Sequence, residues 1–490
     1  MHRVRRALKV GQGWRGKGTT APPGLPPGPR PLPFLGNALQ VDTKNFPRSV
    51  EKLSQRYGPV FTLYLGSQRA VVLFGQEVVQ EALGPRGEDF GGRGGSPILD
   101  KTIGGTGIGF SNGETWRQLR RFAEETFREL EAPAEEWIQE EAAFLAERLR
   151  STEGRPLDPS RLLTAASTNV LCAVSFGSRF DYQDPEFLAF LHLLGENARL
   201  QTRPMTQLYN VFPALLDPLP GSHQTIFRNT KEMDRFVARR AQAQKEALPP
   251  GPARNFIHAF LLKMEQEEQQ QQHGEGGPAS VFDLRSLVRS TMDFFVAGAA
   301  STSLVLQYLM LVLLKYPEVQ EKVHQEIERV IGPSRRPCLA DLAEMPYTHA
   351  VIREAHRSLA LVPLNVPRAT TRDTLFRQFL IPKGTTIFPA LKPSLHDPRE
   401  FPHPERFDPA HFLDEAGALR ESEFFIPFSI GQRACLGRRL ASTTLFVSLA
   451  TLLQRFRLHP ALPPEELDLS PATGFLTVAP KPFQVCLLPR

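Results

Sequence analysis

Cysteine is scarce in this chain: four residues in 490, Cys172, Cys338, Cys435 and Cys486, scattered and without any CxxC spacing. That pattern argues against a disulfide framework and against a cysteine-rich structural zinc site, and it points to a reducing compartment. Acidic residues are missing from the start, with none before Asp42, while Arg3, Arg5, Arg6, Lys9, Arg15 and Lys17 crowd the first 25 positions. No apolar run there is long enough for a signal peptide or a membrane span. A basic, acid-free segment of this kind suits a solvated tail, an organelle presequence or a tail drawn to anionic lipid. Clustered Lys/Arg with interleaved aromatics is also absent, which excludes a nucleic-acid partner. The net charge of +6 instead fits an anionic partner protein or a membrane surface. There is no internal repeat. Hydrophobic residues at 41% and charged residues at 22% exclude both a disordered chain and a polytopic membrane protein.

Proline, by contrast, is abundant: 44 residues, about 9% against a usual ~5%, spread through the chain as many helix breaks and ordered loops. Pro26-Pro27-Gly28-Pro29-Arg30-Pro31 is a stiff extended hinge. PVFTLYLG and RAVVLFG flank Ser67-Gln68 as a hairpin. Helical patterns dominate from Trp116 to Leu314, with a polar Gln-rich surface loop at Met264–Ser280. Phe294 to Leu314 runs 21 residues without a charge. Its first half is small and hydroxylated, and Asp293 and Lys315 bound it, so it reads as a helix buried at the centre rather than a membrane span. Tyr316-Pro317-Glu318 opens an amphipathic helix through Val330, FLIPKGTTIF reads as a second hairpin turning at Pro382-Lys383-Gly384, and Phe475–Leu488 reads as strand. The economical architecture is mainly α with a smaller β region: a basic segment at 1–25, then one domain over 26–490.

The chemistry concentrates in Phe428-Ser-Ile-Gly431-Gln-Arg433-Ala-Cys435-Leu-Gly437, followed by the apolar helix RRLASTTLFVSLATLLQRF. Cys435 thereby sits at a helix start, where unsatisfied N–H groups and the positive dipole end favour a thiolate. Gly431 and Gly437 supply a tight turn and let a flat cofactor approach the backbone. Arg433 is placed to pair with an anionic group on that cofactor.

This segment resembles the haem-binding loop of the cytochrome P-450 superfamily at Phe428, Gly431, Arg433, Cys435 and Gly437. The resemblance implies a triangular helical prism around a buried haem b, with Cys435 as axial thiolate and Arg433 on a propionate. Thiolate ligation favours O–O cleavage. Glu354-Ala-His-Arg357 and Pro404-Glu-Arg406-Phe407 are similar to two further family elements, which implies a buried network of Glu354, Arg357 and Arg406 under the haem loop. Trp116 and Arg120, at i, i+4 spacing on one helical face, resemble propionate contacts, as do Arg93 and Arg368. PPGPRPLPFLGN and LLKYPEVQEKVHQEIERVIG look like the microsomal family 2 branch. That likeness implies oxidation of lipophilic xenobiotics, fatty acids or steroids with electrons from NADPH–cytochrome reductase, cytochrome b5 being a further candidate donor. It also implies the cytoplasmic face of the endoplasmic reticulum membrane. Phe294, Ala297, Val362, Leu364 and Leu476 are the candidate pocket residues.

Two departures stand out. The branch's apolar anchor is replaced by the basic segment, which leaves mitochondrial or soluble addresses open, although the apolar stretch Leu208–Leu219 resembles one that dips into lipid. The family's Ala-Gly-x-acid-Thr-Thr becomes Ala297-Gly298-Ala299-Ala300-Ser301-Thr302. The acid is gone and its partner hydroxyl survives as Ser301, so Ser301 and Thr302 are the candidate catalytic hydroxyls. Gly298 still permits local widening of the helix. Ala300 keeps open a haem-thiolate isomerase or dehydratase that needs no reductase, and a haem-binding protein with weak turnover.

Overall fold

The computed structural model describes residues 24–42, 45–247, 251–272, 280–473 and 477–490; most of the basic segment at 1–25 lies outside them. Five helices carry the site: α1 (Gly113–Glu129), α2 (Ser160–Phe176), α3 (Leu284–Lys315), α4 (Pro346–Leu359) and α5 (Arg438–Arg455). The 32-residue α3 begins where the Asp283 side chain accepts from Ser286 N at 2.6 Å, and it ends at Tyr316-Pro317. From Val305 to Leu314 every residue is buried, in one apolar cluster with α2, α4 and α5. This is the one helix among the described residues long and apolar enough to cross a membrane, but 67% of its apolar window is buried inside the protein. The expectation of a central core helix is met.

Where the chain extends, it builds small sheets. β1 (Val60–Leu65) and β2 (Gln68–Phe74) form the expected hairpin, with Leu65 opposite Gln68 and Gly66 at φ +64° in the turn. The proline hinge lies along β1, Thr62 donating from its N to Pro27 O at 2.7 Å and from its hydroxyl to Pro26 O at 2.8 Å. β3 (Arg368–Ala369), β4 (Thr374–Phe376), β5 (Phe379–Ile381) and β6 (Thr386–Ala390) follow. The turn at Pro382-Lys383-Gly384 exists, with Gly384 at φ +76°, but it does not close a hairpin. β5 pairs back with β4, whereas β6 joins the main sheet, ordered β1-β2-β6-β3 and parallel to β2. The fully buried β6 finds its partners in the apolar β2 rather than in its neighbour.

Two more expectations need correction. The helix Phe256–Gln272 continues well into the stretch read as a loop from Met264. Glu and Gln are good helix formers, and a Lys263–Glu267 ion pair at 2.8 Å supports that face. Toward the C-terminus the single strand resolves into two. After β7 (Phe456–Pro460) and β8 (Ala472–Thr473), β9 (Val478–Ala479) pairs with β8 and β10 (Val485–Pro489) pairs with β7. Pro480 and Pro482 interrupt the ladder between them. Leu476 and Phe475 lie outside the described residues.

Candidate active site

The loop before α5 is tightly wound. Cys435 N donates to Phe428 O at 2.9 Å and Ala434 N to Gly431 O at 2.9 Å. Ser429 and Gly431 take positive φ, +61° and +73°. Glycine is required at 431 for a second reason: a Cβ there would stand 1.9 Å from the Leu83 carbonyl oxygen. Gly437 caps α5. The Cys435 side chain is accessible, yet burial pushes its thiol above the usual value, with the Gly437 N–H and the Arg120 and Arg438 cations pulling the other way. The helix start alone therefore does not favour a thiolate over the thiol.

Around this loop the structure gathers guanidinium groups. Arg433 donates to Gly91 O at 2.9 Å and Ser111 O at 2.7 Å, and its guanidinium lies 3.9 Å from the centre of the Trp116 ring. Arg93 reaches Gly109 O, Val366 O and Pro367 O at 2.8–3.1 Å. Arg368, fully buried, donates to Ser429 Oγ at 3.0 Å, while its Nε and Nη1 have no partner among the described residues. Arg120 shares the buried face of α1 with Trp116 but pairs with Glu124 at 2.6 Å. Among the described residues no ion pair forms at Arg93, Arg368 or Arg433. Burial, then repulsion from neighbouring guanidiniums, pushes Arg433 down to about 8 and Arg368 to about 9. Burial also takes Arg93 to about 10 against the attraction of Asp293. Such a cluster of buried cations with orphaned donors fits a group bearing two carboxylates beside a thiol ligand, and a haem has that chemistry.

Beneath the loop, Glu354 and Arg357 of α4 are both fully buried and joined by two 2.7 Å bonds. Arg357 also donates to Leu395 O, Pro404 O and Arg406 O at 2.9–3.1 Å. The expected third member needs correction. Arg406 is exposed and contributes only its backbone carbonyl. Its place on the carboxylate is taken by Asp408 N at 2.8 Å and His411 Nδ1 at 3.2 Å. Phe428 rests on the ring of His356, 5.0 Å away.

Along α3, Val296 is 60% exposed and Ala297 and Ala300 are exposed in the middle of an otherwise buried helix. Together they share one exposed face at helical spacing. Ser301 borders that face half-buried, and Thr302 turns into the core. At Gly298 a Cβ would press to 3.1 Å on Leu171 of α2, so this glycine serves close helix packing. Leu436, next to Cys435, packs on the same apolar cluster that contains Ala299. Two of the pocket candidates pack against other side chains of the protein. Phe294 packs on Phe127 and Phe256 at 5.0 and 4.7 Å, and Leu364 is buried in the core of the β region. Val362 is half-buried. Sequence reasoning missed Val296, whose signal was its i−4 relation to Ala300. It also missed Asp293, whose carboxyl burial pushes up to about 7 although it accepts from Gly109 N at 2.8 Å.

The family model described as Cytochrome P450 matches residues 26–487. The chain is 46% identical over 468 residues to Cytochrome P450 2H1 of Gallus gallus, spanning 95% of this chain and 94% of that protein. It is 47% identical over 469 residues to Cytochrome P450 2C16 of Oryctolagus cuniculus, again spanning 95% and 94%. Cytochrome P450 2C5 of the same species is 46% identical over 469 residues, with the same coverage.

Proposed function

With the chain a member of the cytochrome P450 family, and so a haem monooxygenase whose iron takes a cysteine thiolate, we propose that Cys435 is that ligand. Arg93, Trp116, Arg120, Arg368 and Arg433 hold the propionates, and residues 26–490 act as one catalytic domain. The observation that carries this reading is the set of buried guanidiniums without carboxylates beside an accessible thiol. The bound haem supplies oxygen activation, placing one oxygen atom in a substrate and the other in water.

The protein's own residues do the rest. Val296, Ala297 and Ala300 wall the reaction space with small apolar surface, which suits a lipophilic substrate of the xenobiotic, fatty acid or steroid class. The Ser301 hydroxyl, at the edge of that face, relays protons with water, since Ala300 offers no acid. Phe428, Gly431 and Gly437 shape the loop that shields the thiol. Glu354 and Arg357 brace it from below.

Electrons come from NADPH–cytochrome reductase, with cytochrome b5 as a second donor, at the cytoplasmic face of the endoplasmic reticulum membrane. A surface on the β side supports the membrane contact: Phe34, Leu39 and Leu215 are 71%, 75% and 68% exposed. The Gly66 turn links these regions, lying against Gly36 on one side and Val211 on the other. The test is the difference spectrum of the reduced carbon-monoxide complex, followed by product analysis with and without reductase. A red-shifted thiolate Soret band and product only with NADPH and reductase are expected. Product formed equally without reductase would overturn the electron-transfer reading.

A further inference from the structure

Between α4 and β3 the chain passes through Asn365, which is buried and holds a left-handed backbone at φ +57°. Asparagine is one of the few residues other than glycine that take this conformation readily, so a turn alone would account for it. Its side chain does more. Oδ1 accepts from Val366 N at 2.8 Å, and Nδ2 donates to Ser429 Oγ at 2.9 Å. Only the amide oxygen can accept the Val366 N–H, which fixes the orientation of the amide and turns its NH2 toward Ser429.

Ser429 belongs to the thiol loop, where it too holds a positive φ, +61°. Its hydroxyl takes a second donor, Arg368 Nη2 at 3.0 Å. A hydroxyl oxygen offers two lone pairs, so both are filled and Ser429 cannot turn without breaking one of these bonds. Arg368 Nη2 also makes a longer bond to Ile430 O, 3.4 Å. Among the described residues these three are the hydrogen bonds that tie 361–368 to the thiol loop. The rest of the segment is anchored elsewhere. Leu361 O accepts from Val478 N at 2.9 Å, Pro363 O from Leu391 N at 2.8 Å, and Val366 O from Arg93 Nη1 at 2.9 Å. The seat of Arg368 thus depends on a hydroxyl that Asn365 holds in place, while Arg368 Nε and Nη1 stay without partners among the described residues.

We propose that Asn365 is a positioning residue: by fixing the Ser429 hydroxyl it holds the Arg368 guanidinium with two free donors ready for a haem carboxylate. This rests on the reading of Arg368 as a propionate contact. Without the Asn365 amide, Ser429 gains an open lone pair and freedom to turn, and Arg368 is no longer held to one orientation.

Two measurements on the purified holoprotein test this: the rate at which haem passes to excess apomyoglobin, and the midpoint potential of the ferric/ferrous couple. Asn365→Gly is the informative variant, because glycine adopts the same left-handed backbone and removes only the amide side chain. The extra chain entropy of glycine weighs on folding equally with and without haem, so it drops out of haem release. Asn365→Gly should release haem about fivefold faster, the equivalent of ~1 kcal/mol, and Arg368→Leu faster still. The potential should fall in both, since a cation held beside the haem favours the reduced iron, which carries one positive charge fewer. Ser429→Gly, also compatible with its positive φ, should match or exceed Asn365→Gly, and combining the two should add nothing further. Wild-type haem release and potential in Asn365→Gly, with Arg368→Leu impaired, would overturn the proposal and leave Asn365 a turn residue. So would additive losses at 365 and 429. Arg368→Leu releasing haem at the wild-type rate would instead overturn the reading of Arg368 as a propionate contact, on which the proposal stands.

Discussion

Arg357→Ala removes the cation from a carboxylate that has no access to water. Glu354 and Arg357 are each fully buried, and their bidentate pair is the shortest-bonded part of the network. The variant leaves Glu354 with only Asp408 N and His411, and it orphans the carbonyls of Leu395, Pro404 and Arg406. Breaking a buried pair this way costs about 3–5 kcal/mol, a large share of the ~5–15 kcal/mol by which domains are stable. Glu354→Ala should cost a similar amount, and the double change Glu354→Leu with Arg357→Met should cost less than the two single changes together, by up to about 3 kcal/mol. His411→Leu removes the Nδ1 contact with the Glu354 carboxylate, about 1.5–3 kcal/mol, and also the 2.7 Å Nε2 contact with Pro402 O. Arg406→Ala should stay within about 0.5 kcal/mol, because its exposed side chain takes no part. The assay is the fraction of protein purified with haem, followed by the urea concentration at which haem absorbance is lost. Arg406→Ala as damaging as Arg357→Ala, or strictly additive losses at 354 and 357, would refute this account.

Cys435→Ser should abolish the thiolate Soret band of the reduced carbon-monoxide complex, whereas Cys172→Ser, Cys338→Ser and Cys486→Ser should keep it. Ala300→Glu with Ser301→Thr should raise product per NADPH; a tenfold gain needs only ~1.4 kcal/mol, and peroxide release measured in parallel checks it. Arg368→Leu should slow haem uptake yet raise the thermal midpoint of haem-free protein, since two buried donors lose their orphaned state; calorimetry with and without haem decides. Burial opposes the charged form of His411, but Glu354 outweighs it and the pKa rises from 6.5. Its stabilisation is therefore complete below pH 6.5 and fades as pH climbs through the raised value. The stability gap between wild type and His411→Leu should narrow over that alkaline rise, as read by urea midpoints.

The thiol loop was legible because its chemistry is local: glycines, an arginine and a cysteine before a helix leave marks within ten residues of sequence. The Glu354–Arg357 pair was legible only through its resemblance to a family element, because an i, i+3 pair read by itself suits a solvated face equally, and Trp116 with Arg120 likewise. Arg406 misled because a backbone carbonyl leaves no trace in residue type, while His411, which supplies the side chain, carries no spacing signal. Phe294 and Leu364 show a related limit, since apolar character does not say which of two apolar surroundings a side chain joins. The Pro382-Lys383-Gly384 turn was readable from its own residues, but the partner of β6 lies more than 300 positions earlier, beyond any local pattern.

The parallel pairing of β2 with β6 and the seat of Gly431 on the Leu83 carbonyl have a consequence for biosynthesis. A ribosome releases residues 60–83 long before it releases 386–437. The early strands must therefore wait, unpaired on one edge, through the synthesis of every central helix, and long-range pairings of this kind close slowly. The pocket around Cys435 comes into being only when the last fifth of the chain docks onto the first. Haem loading is thus confined to a nearly finished polypeptide: a nascent chain cut short before β6 is left with an unpaired apolar edge, and one cut short before Cys435 lacks the thiol.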